Sequence, residues 1–432
     1  MEAITKIHSQ TLKFTGSGSE YFRIWIVNIV LTVCTLGIYS AWAKVRTKRY
    51  FYNHTRLAGH HFDFLASPQQ ILRGRIIAVI LLGLYVGVNH FLPAWSWLAA
   101  TVLALALPAL LVLAMGFRLR NTSFRNIRFY FRKDFAKAYL LAAAPVALFI
   151  AVMFSAASMT EELNEIALQA DLHAERHSTD QDLHWHEDIS EEERAYLEHG
   201  EHHGDVLDDA LKEKLEQGTE TGAKVFGLMF LFFLTIPFWE YLLIRFMVNH
   251  SQFGTSKFNF AQNVLSLYGL YIGLFFVTLL VLAAAGVVIG IVSVAFSTQL
   301  TPEVATNSLG NGGFVAFFMA LPMVAAQLYI VARYNAKRLN WRIDGIRLNE
   351  HKFEGLLDAT ELATIYLVNF LTIAFTLGLA IPWAMVRTYQ YKIENIVLHP
   401  ATDLEEFIAV QEQQRSAIGE EIDDIFDLDL GL

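Results

Sequence analysis

Long apolar stretches alternate with short polar ones along most of this 432-residue chain. Several apolar runs reach about 20 residues, the length that a helix needs to cross roughly 30 Å of hydrocarbon. Basic residues cluster in three short segments beside these runs, at 44–75, 118–137 and 333–352. The pattern predicts a helical membrane protein with six spans. The predicted spans are 71–92, 95–117, 135–158, 222–247, 264–295 and 312–334.

A second pattern recurs five times along the chain. Each copy begins at a proline, or at an alanine in the first copy, and has an asparagine 12 or 13 positions later. Four of the nine prolines are used in this way, so chance is a poor explanation. The copies run from 41 to 53, 108 to 121, 237 to 249, 322 to 335 and 382 to 395. The chain is therefore predicted to contain internal repeats.

Short segments of alternating side chains follow the asparagines at 53, 121, 249 and 335. Such alternation between turn residues is typical of β-hairpins. The last segment contains Asp344-Gly345, a dipeptide favoured in tight hairpin turns. We expect a fifth hairpin to be split between the chain ends, with one strand near 395–398 and the other near 12–16.

Two apolar stretches, 20–50 and 361–391, remain after the six spans and match each other at a constant offset of 341. The shared pattern is Asn-x6-Thr-Leu-Gly-x4-Trp-Ala-x-Val-Arg-Thr. If both stretches cross the membrane, both termini lie outside. If both are re-entrant and turn back at Thr-Leu-Gly, the termini stay with the basic segments in the cytoplasm. We favour the re-entrant form, because glycine tolerates a sharp turn and polar neighbours can satisfy the freed backbone groups.

The first of these stretches also carries a family resemblance. Phe-Arg-Ile-Trp at 22–25, Thr-Leu-Gly-Ile-Tyr-Ser-Ala-Trp-Ala-Lys-Val-Arg at 35–46 and Tyr-Phe-Tyr-Asn at 50–53 resemble the YjgN family of bacterial inner-membrane proteins. Position 41 is commonly proline in that family and is alanine here. The resemblance implies an inner-membrane location and brings no established activity with it.

Composition and charge agree with a polytopic membrane protein. The chain is 54% hydrophobic, and its net charge of −9 divides into −15 for residues 160–224, −9 for 401–432 and +15 elsewhere. Positive segments beside membrane helices face the cytoplasm. We predict a mainly α-helical fold with about six full spans, two re-entrant or broken helices and cytoplasmic β-hairpins. The predicted divisions are an N-terminal membrane half (1–158), an acidic His-rich extracytoplasmic loop (159–221), a C-terminal membrane half (222–400) and an acidic tail (401–432).

Polar residues at membrane depth are costly and often functional. The matched stretches place three such positions in each copy, which are candidates for a solute pathway or pocket. They are Asn28, Thr35 and Gly37 in the first copy and Asn369, Thr376 and Gly378 in the second. Under the alternative hypothesis, the asparagines only hold helices together by hydrogen bonds.

Cations follow both broken helices. Lys44, Arg46, Arg49 and Arg387 are candidates for contact with anionic lipid headgroups or an anionic solute. Ordinary topology-setting charge explains them equally well. Glu240 and Arg245 are predicted to form an interfacial pair near the end of the span at 222–247.

The acidic segment holds seven of the fifteen histidines, which makes it a weak candidate for binding a divalent cation. They are His173, His177, His184, His186, His199, His202 and His203. Imidazole and carboxylate groups suit Zn²⁺, Ni²⁺ or Cu²⁺, although the spacing matches no standard site. A solvated, helical, acidic segment is the simpler interpretation.

No catalytic motif is present in the sequence: there is no Gly-x-Ser-x-Gly, P-loop or His-Glu-x-x-His. We therefore expect neither an enzyme nor a bound cofactor, and no nucleic-acid partner. Two hypotheses remain. The first is a channel or secondary transporter for a small solute, ion or lipid. The second is a non-transporting envelope organiser that binds lipids or an unknown protein partner, for example through the acidic tail.

Overall fold

The computed structural model describes residues 8–183, 191–297 and 308–418, and these residues form eleven short strands and eleven α-helices. The strands are β1 (Gln10–Thr11), β2 (Lys13–Phe14), β3 (Thr55–Leu57), β4 (His60–Phe64), β5 (Thr122–Phe124), β6 (Ile127–Phe131), β7 (Ser251–Phe253), β8 (Ser256–Phe260), β9 (Ile346–Leu348), β10 (His351–Gly355) and β11 (Ile396–His399). The helices are α1 (Gly18–Cys34), α2 (Ser40–Asn53), α3 (Pro68–Phe91), α4 (Ser96–Arg120), α5 (Phe135–Leu183), α6 (Glu191–Asn249), α7 (Val264–Ser297), α8 (Ser308–Asp344), α9 (Ala359–Phe375), α10 (Ile381–Glu394) and α11 (Leu404–Ile418).

All eleven strands belong to one antiparallel sheet. Four hairpins, β3–β4, β5–β6, β7–β8 and β9–β10, pair with one another in chain order. The register between successive hairpins is the same at each junction, since the last residue of one hairpin lies opposite the first residue of the next. These pairs are Phe64 with Thr122, Phe131 with Ser251, and Phe260 with Ile346.

The fifth hairpin is split between the chain ends: β11 lies at the predicted 395–398, whereas its partner β1, at 10–11, precedes the predicted 12–16. Only Leu12 separates β1 from β2, yet β1 pairs with β11, while β2 pairs with β3 through Phe14 and Thr55. β1 and β2 are the two ends of the strand order, and Leu12 links them, so the order closes on itself through this segment. These two short strands pair on one side only, and every other described strand pairs on both sides.

The hairpins bury a common apolar cluster, which we call the ring core. The first strand of each hairpin contributes one buried side chain, and the second strands contribute a partly buried set. The buried members from the first strands are Leu57, Phe124, Phe253, Leu348 and Leu398, and Ile127 of the second strand β6 is buried as well. The partly buried ones are Leu12, Phe62, Phe129, Phe258 and Phe353. Ile408 of α11, only 1% exposed, packs into the same cluster. Burial of one such side chain contributes about 1.5–3 kcal/mol.

Polar contacts fix α11 on the hairpins. Gln411 is buried, and its Oε1 accepts hydrogen bonds from the backbone N–H of Thr255 at 2.9 Å and from its hydroxyl at 3.0 Å. Arg125 of the β5–β6 turn forms an ion pair of 2.6 Å with Glu405. The segment 404–418 therefore docks on the hairpins. The rest of the acidic tail lies outside the described residues.

A histidine joins the start of this C-terminal segment to the sheet. The Nδ1 atom of His351 accepts a hydrogen bond of 3.0 Å from the backbone N–H of Ala401. The same ring packs edge-on against Phe407 at 4.6 Å between centroids. Burial lowers the pKa of His351, while Glu350 acts weakly in the opposite direction. The neutral imidazole is therefore the form that this contact favours.

The chain divides into two compact units, Leu140–Trp239 and the remainder. Within the first unit, the described part of the acidic segment is helical and belongs to α5 and α6, which have 49 and 59 residues. Its extracytoplasmic position stays a prediction. Lys214 bonds Glu165 at 2.9 Å, and the hydroxyl of Thr221 donates to Glu162 at 3.2 Å. Glutamate and leucine are the commonest residues of this segment, and both have high helix propensity.

Five helical segments of the described chain are long and apolar enough to cross a membrane. They are Pro68–Phe91, Pro93–Arg120, Phe135–Leu168, Gly218–Asn249 and Val264–Ile291. The backbone of the sixth predicted span, 312–334, lies within α8. Many side chains in its first part are outside the described set, so this span stays a prediction.

The helix α8 contradicts one detail of the sequence prediction. It continues past Asn335 to Asp344, so the Asp-Gly dipeptide ends the helix and does not form the hairpin turn. The turn falls instead at Asn349, whose φ is +52°. The helical turns between Asn335 and Asp344 are stabilised because Ala336 and Trp341 are buried against neighbouring helices.

The residue equivalent to the repeated asparagine is therefore Asp344. Its Oδ1 accepts a hydrogen bond of 2.8 Å from the backbone N–H of Gly355, eleven positions later. In the preceding hairpin, Oδ1 of Asn249 accepts a bond of 2.7 Å from Phe260, also eleven positions later. Asp344 has a carboxylate where the other copies have the amide of an asparagine, so the repeat pattern identified Asn335 instead.

Candidate functional site in the two broken helical hairpins

The matched stretches form two short helical hairpins. Both α1 and α9 have 17 residues, and both α2 and α10 have 14. A helix of 17 residues is about 25 Å long, which is shorter than the roughly 30 Å of hydrocarbon in a bilayer. The first hairpin starts and ends at the sheet, because Phe14 before it pairs with Thr55 after it. Each hairpin therefore leaves the sheet and returns to it.

The break between the helices has the same geometry in both copies. In the first copy, Leu36 has a φ of +50° and Gly37 a φ of +92°, a left-handed conformation that glycine adopts easily. The hydroxyl of Thr35 accepts a hydrogen bond of 2.9 Å from the backbone N–H of Tyr39, which satisfies one group freed by the break. The second copy repeats these features at Leu377 (φ +49°), Gly378 (φ +93°) and Thr376.

The tip of each hairpin is apolar and exposed. Leu36 is 96% exposed and Leu377 is 95% exposed. Leu36 and Leu377 lie near the middle of their hairpins, at the greatest separation in sequence from the strands on either side. An apolar tip suits hydrocarbon better than water.

Below the tip, a buried asparagine in each hairpin meets an arginine of the returning helix. Asn28 Oδ1 accepts a hydrogen bond of 3.4 Å from Arg46, and Asn369 Oδ1 accepts one of 3.2 Å from Arg387. Both asparagines are under 8% exposed, whereas both arginines are exposed. The amide of Asn369 also donates to Thr388 Oγ1 at 2.9 Å. Each asparagine thus holds its hairpin together and orients an exposed guanidinium.

The structure separates the predicted pocket residues into two levels. The threonine and glycine lie at the tip, and the asparagine lies seven residues earlier, about 10 Å along the helix. The hydroxyl of Thr35 also donates to a carbonyl of its own helix, that of Leu31, at 2.6 Å. The hydrogen bonds of the asparagines fit the hypothesis that they hold helices together, and their geometry adds the oriented arginines to it.

The two broken hairpins contact each other through α1 and α10. The rings of Phe22 and Trp383 lie 4.9 Å apart, and the hydroxyl of Tyr21 donates to the sulfur of Met385 at 4.0 Å. The matched elements, which open and close the sequence, therefore lie side by side.

The other candidate cations differ in their roles. Arg49 donates to the backbone carbonyls of Phe64 at 3.2 Å and Ala66 at 3.0 Å, so it fixes the connection from β4 to α3. Lys44 is exposed on α2. Of the four predicted contacts for an anion, Arg46 and Arg387 are therefore the two that each bond a buried asparagine of their own hairpin.

The histidine candidates lie on the acidic helices or between them. The backbones of His173 and His177 belong to α5, and those of His199, His202 and His203 belong to α6. His184 and His186 fall outside the described residues. Among the side chains that the structure describes, no group of three or more His, Cys, Asp or Glu could hold a metal ion. Metal binding by the histidines stays a prediction.

One charged pair differs from its sequence prediction. Glu240 bonds Arg338 of α8, and Tyr271 of α7 donates to the same carboxylate. Arg245, the predicted partner, lies over the ring of Tyr241 at 6.0 Å. The true partner lies 98 positions away, so spacing along one helix could not identify it.

The comparisons with known proteins agree with the membrane architecture. A family model described as "Bacterial protein of unknown function (DUF898)" matches residues 9–425. The chain belongs to this family. Two similar relatives are both named inner membrane protein YjgN. The relative from Salmonella typhimurium LT2 is 32% identical over 150 residues, covering 34% of this chain and 37% of the relative. That from Escherichia coli O157:H7 is 33% identical over 129 residues, covering 29% and 32%.

Each alignment thus spans about a third of the DUF898 protein and of its relative. The resemblance to the YjgN family is confirmed. No solved structure matches the chain. The apolar helices and the named relatives identify an integral membrane protein whose relatives reside in the inner membrane.

Proposed function

We propose that this DUF898 protein is a channel or secondary transporter for a small anionic solute, with the two broken hairpins as its pathway elements. The observation that carries the proposal is the duplicated asparagine–arginine pair. Arg46 and Arg387 each bond a buried asparagine in the same geometry, and each remains exposed. A guanidinium has five N–H donors, so one bond to an amide leaves donors for an anion.

The proposal requires that both hairpins are re-entrant and that the sheet lies on the cytoplasmic side of the membrane. The short helices, the apolar tips and the return of each hairpin to the sheet support re-entry. The basic segments beside the spans support a cytoplasmic sheet. Broken helices with polar groups at membrane depth also occur at transporter binding sites.

Reporter fusions test this topology. A cytoplasm-active reporter and an export-active reporter are placed in turn after Gly16, residue 200 and Leu432. We expect cytoplasmic signals at the first and last sites and an external signal at residue 200. An external signal at Leu432 would exclude the re-entrant arrangement.

Flux measurements test the function itself. Purified full-length protein is reconstituted into proteoliposomes and screened with radiolabelled or fluorescent small anions. We expect the Arg46→Gln and Arg387→Gln double variant to lower the flux at least tenfold, because each site loses its charged donor. Arg23→Gln, which removes an exposed cation from α1, is the matched control and should match wild type. Equal flux through wild type, double variant and protein-free vesicles would count decisively against transport.

A second candidate function is that of an envelope organiser that binds lipids or a protein partner. It is favoured by the limited packing between the apolar helices, whose most apolar windows have only 6 to 11% of their residues buried. Most of their surface is therefore open to lipids or partners. Native mass spectrometry showing no retained lipid, together with crosslinking that recovers no specific partner, would exclude this role.

A further inference from the structure

A cavity of about 460 Å³ lies between α7 and α8, where both helices reach the sheet. Its lining residues lie outside both broken hairpins, and it plays no part in the proposed pathway. Its polar and charged lining includes Gln262, Ser266, Arg333, Lys337, Asn340 and Asp344. Leu270 and Leu274 add apolar surface on the α7 side.

The helix register determines which residues face each other across this cavity. The indole N–H of Trp341 donates to the hydroxyl of Ser266 at 2.7 Å, which fixes one level of the antiparallel pair. One helical turn farther from the sheet, residues 269–270 lie level with Lys337. One turn beyond that, residues 273–274 lie level with Arg333. The two cations are four positions apart and therefore share one face of α8.

Two glycines of α7 provide the space opposite these cations. A Cβ atom built at Gly269 or at Gly273 meets no atom within 4 Å. Larger residues at these positions would project into the open volume that faces Lys337 and Arg333. The pair of glycines at a spacing of four therefore creates the cavity beside the two charges.

The two cations of this cavity outnumber the one carboxylate in its lining. Arg338, on a different face of α8, is neutralised by Glu240. Within the described part of the chain, Arg333 and Lys337 make no hydrogen bond or ion pair, and Lys337 lies near enough to Asp358 for their charges to interact. The one carboxylate in the lining, Asp344, is engaged by a backbone N–H. An anion that enters would meet two cations and several polar groups.

We propose that this cavity binds a phosphate group. Arginine and lysine side chains recognise phosphate through charge-assisted hydrogen bonds. Basic pockets between membrane helices at the cytoplasmic side are suited to phospholipid headgroups. The phosphate can come from an anionic phospholipid, whose acyl chain would lie along Leu270, Leu274 and the apolar part of α7, or from free inorganic phosphate. The inference rests on the cavity alone and does not require the protein to transport anything.

The test uses full-length protein purified in neutral detergent. Binding is followed by native mass spectrometry and by the fluorescence change of Trp341, assigned with Trp341→Phe. The two ligand arms are phosphatidylglycerol, with phosphatidylcholine as the zwitterionic comparison, and inorganic phosphate at millimolar concentration. The variants are Arg333→Gln, Lys337→Gln and the cavity-filling Gly273→Leu. Lys257→Gln, which removes an exposed lysine of β8, is the matched control.

We expect each glutamine variant to bind about tenfold more weakly, equivalent to about 1.4 kcal/mol. Gly273→Leu should abolish binding, and Lys257→Gln should leave it unchanged. Lipid retention that inorganic phosphate does not displace assigns the site to phospholipid, and binding of phosphate without lipid assigns it to the soluble anion. Thermal melting of every variant identifies loss of fold. If Gly273→Leu fails to fold, the binding measured for the two glutamine variants still tests the proposal. Equal binding by wild type and by both glutamine variants, or no binding in either arm, would overturn the proposal.

Discussion

At the scale of single residues, the two matched asparagines are not energetically equal. Asn369 donates to Ala384 and Thr388 and accepts from Arg387. Asn28 accepts a single, longer bond from Arg46. A buried amide that makes more bonds contributes more to stability, and its loss leaves more partners unsatisfied.

We therefore predict that Asn369→Ala lowers the free energy of unfolding by about 2 kcal/mol, and that Asn28→Ala lowers it by about 1 kcal/mol or less. Chemical unfolding in detergent, followed by circular dichroism, measures both. Thr364→Ala is a control on an exposed face of α9. A larger loss for Asn28→Ala than for Asn369→Ala would show that these hydrogen bonds do not set the ranking.

The sequence identified these asparagines because the two stretches match at one offset. It could not identify Arg46 and Arg387 as their partners, since a pairing between two helices depends on the sharpness of the turn between them. The phosphate cavity was missed for a related reason. Its glycines and its cations lie on different helices, and only the register of α7 against α8 brings them together.

At the scale of elements, the contact between His351 and the segment that leads into α11 is expected to respond to pH. Burial lowers the pKa of His351 from its ordinary value of 6.5, so folding favours the neutral ring. A group with a depressed pKa contributes stability above its unfolded pKa, and that contribution is lost as the pH falls. Protonation also turns Nδ1 into a donor that faces the N–H of Ala401.

We predict that α11 detaches more readily as the pH falls from 7 to 5. Hydrogen exchange of the α11 amides should become several-fold faster over this pH interval, relative to the exchange of the amides in the β-strands. His351→Gln keeps an acceptor and does not titrate, so its exchange ratio should stay flat. A flat ratio in the wild-type protein would contradict this role for His351.

The elements themselves were predictable where local patterns determine them. The hairpin after Asn249 follows from its alternation, and the breaks at Gly37 and Gly378 follow from glycine. The docking of α11 could not be predicted, because its partners, including Thr255 and Arg125, belong to distant hairpins. The predicted end of α8 was wrong because Asp344 stands where the other copies have the repeated asparagine.

At the scale of the whole molecule, closure of the strand order joins the two ends of the chain. The segment of β1 and β2 bridges β11 and β3, so both of these strands are paired on both sides. Removing β1 would leave the free side of β11 unpaired. Unpaired edges recruit strands from other molecules.

We predict that deletion of residues 1–11 increases self-association. Size-exclusion chromatography with light scattering should show a larger mass for the deletion than for the full chain at equal protein concentration. The Gln10→Ala and Thr11→Ala double variant keeps the backbone pairing with Leu398 and Val397 and should behave like wild type. Equal masses for all three proteins would show that closure does not protect this edge.

Closure by a split hairpin also sets an order for biosynthesis. Translation makes β1 and β2 long before β11, so β1 has no partner strand until residues 396–399 have been made. A chain terminated before Ile396 therefore leaves β1 and the free side of β10 unpaired. Such a truncated chain exposes strand edges that β11 covers in the longer one.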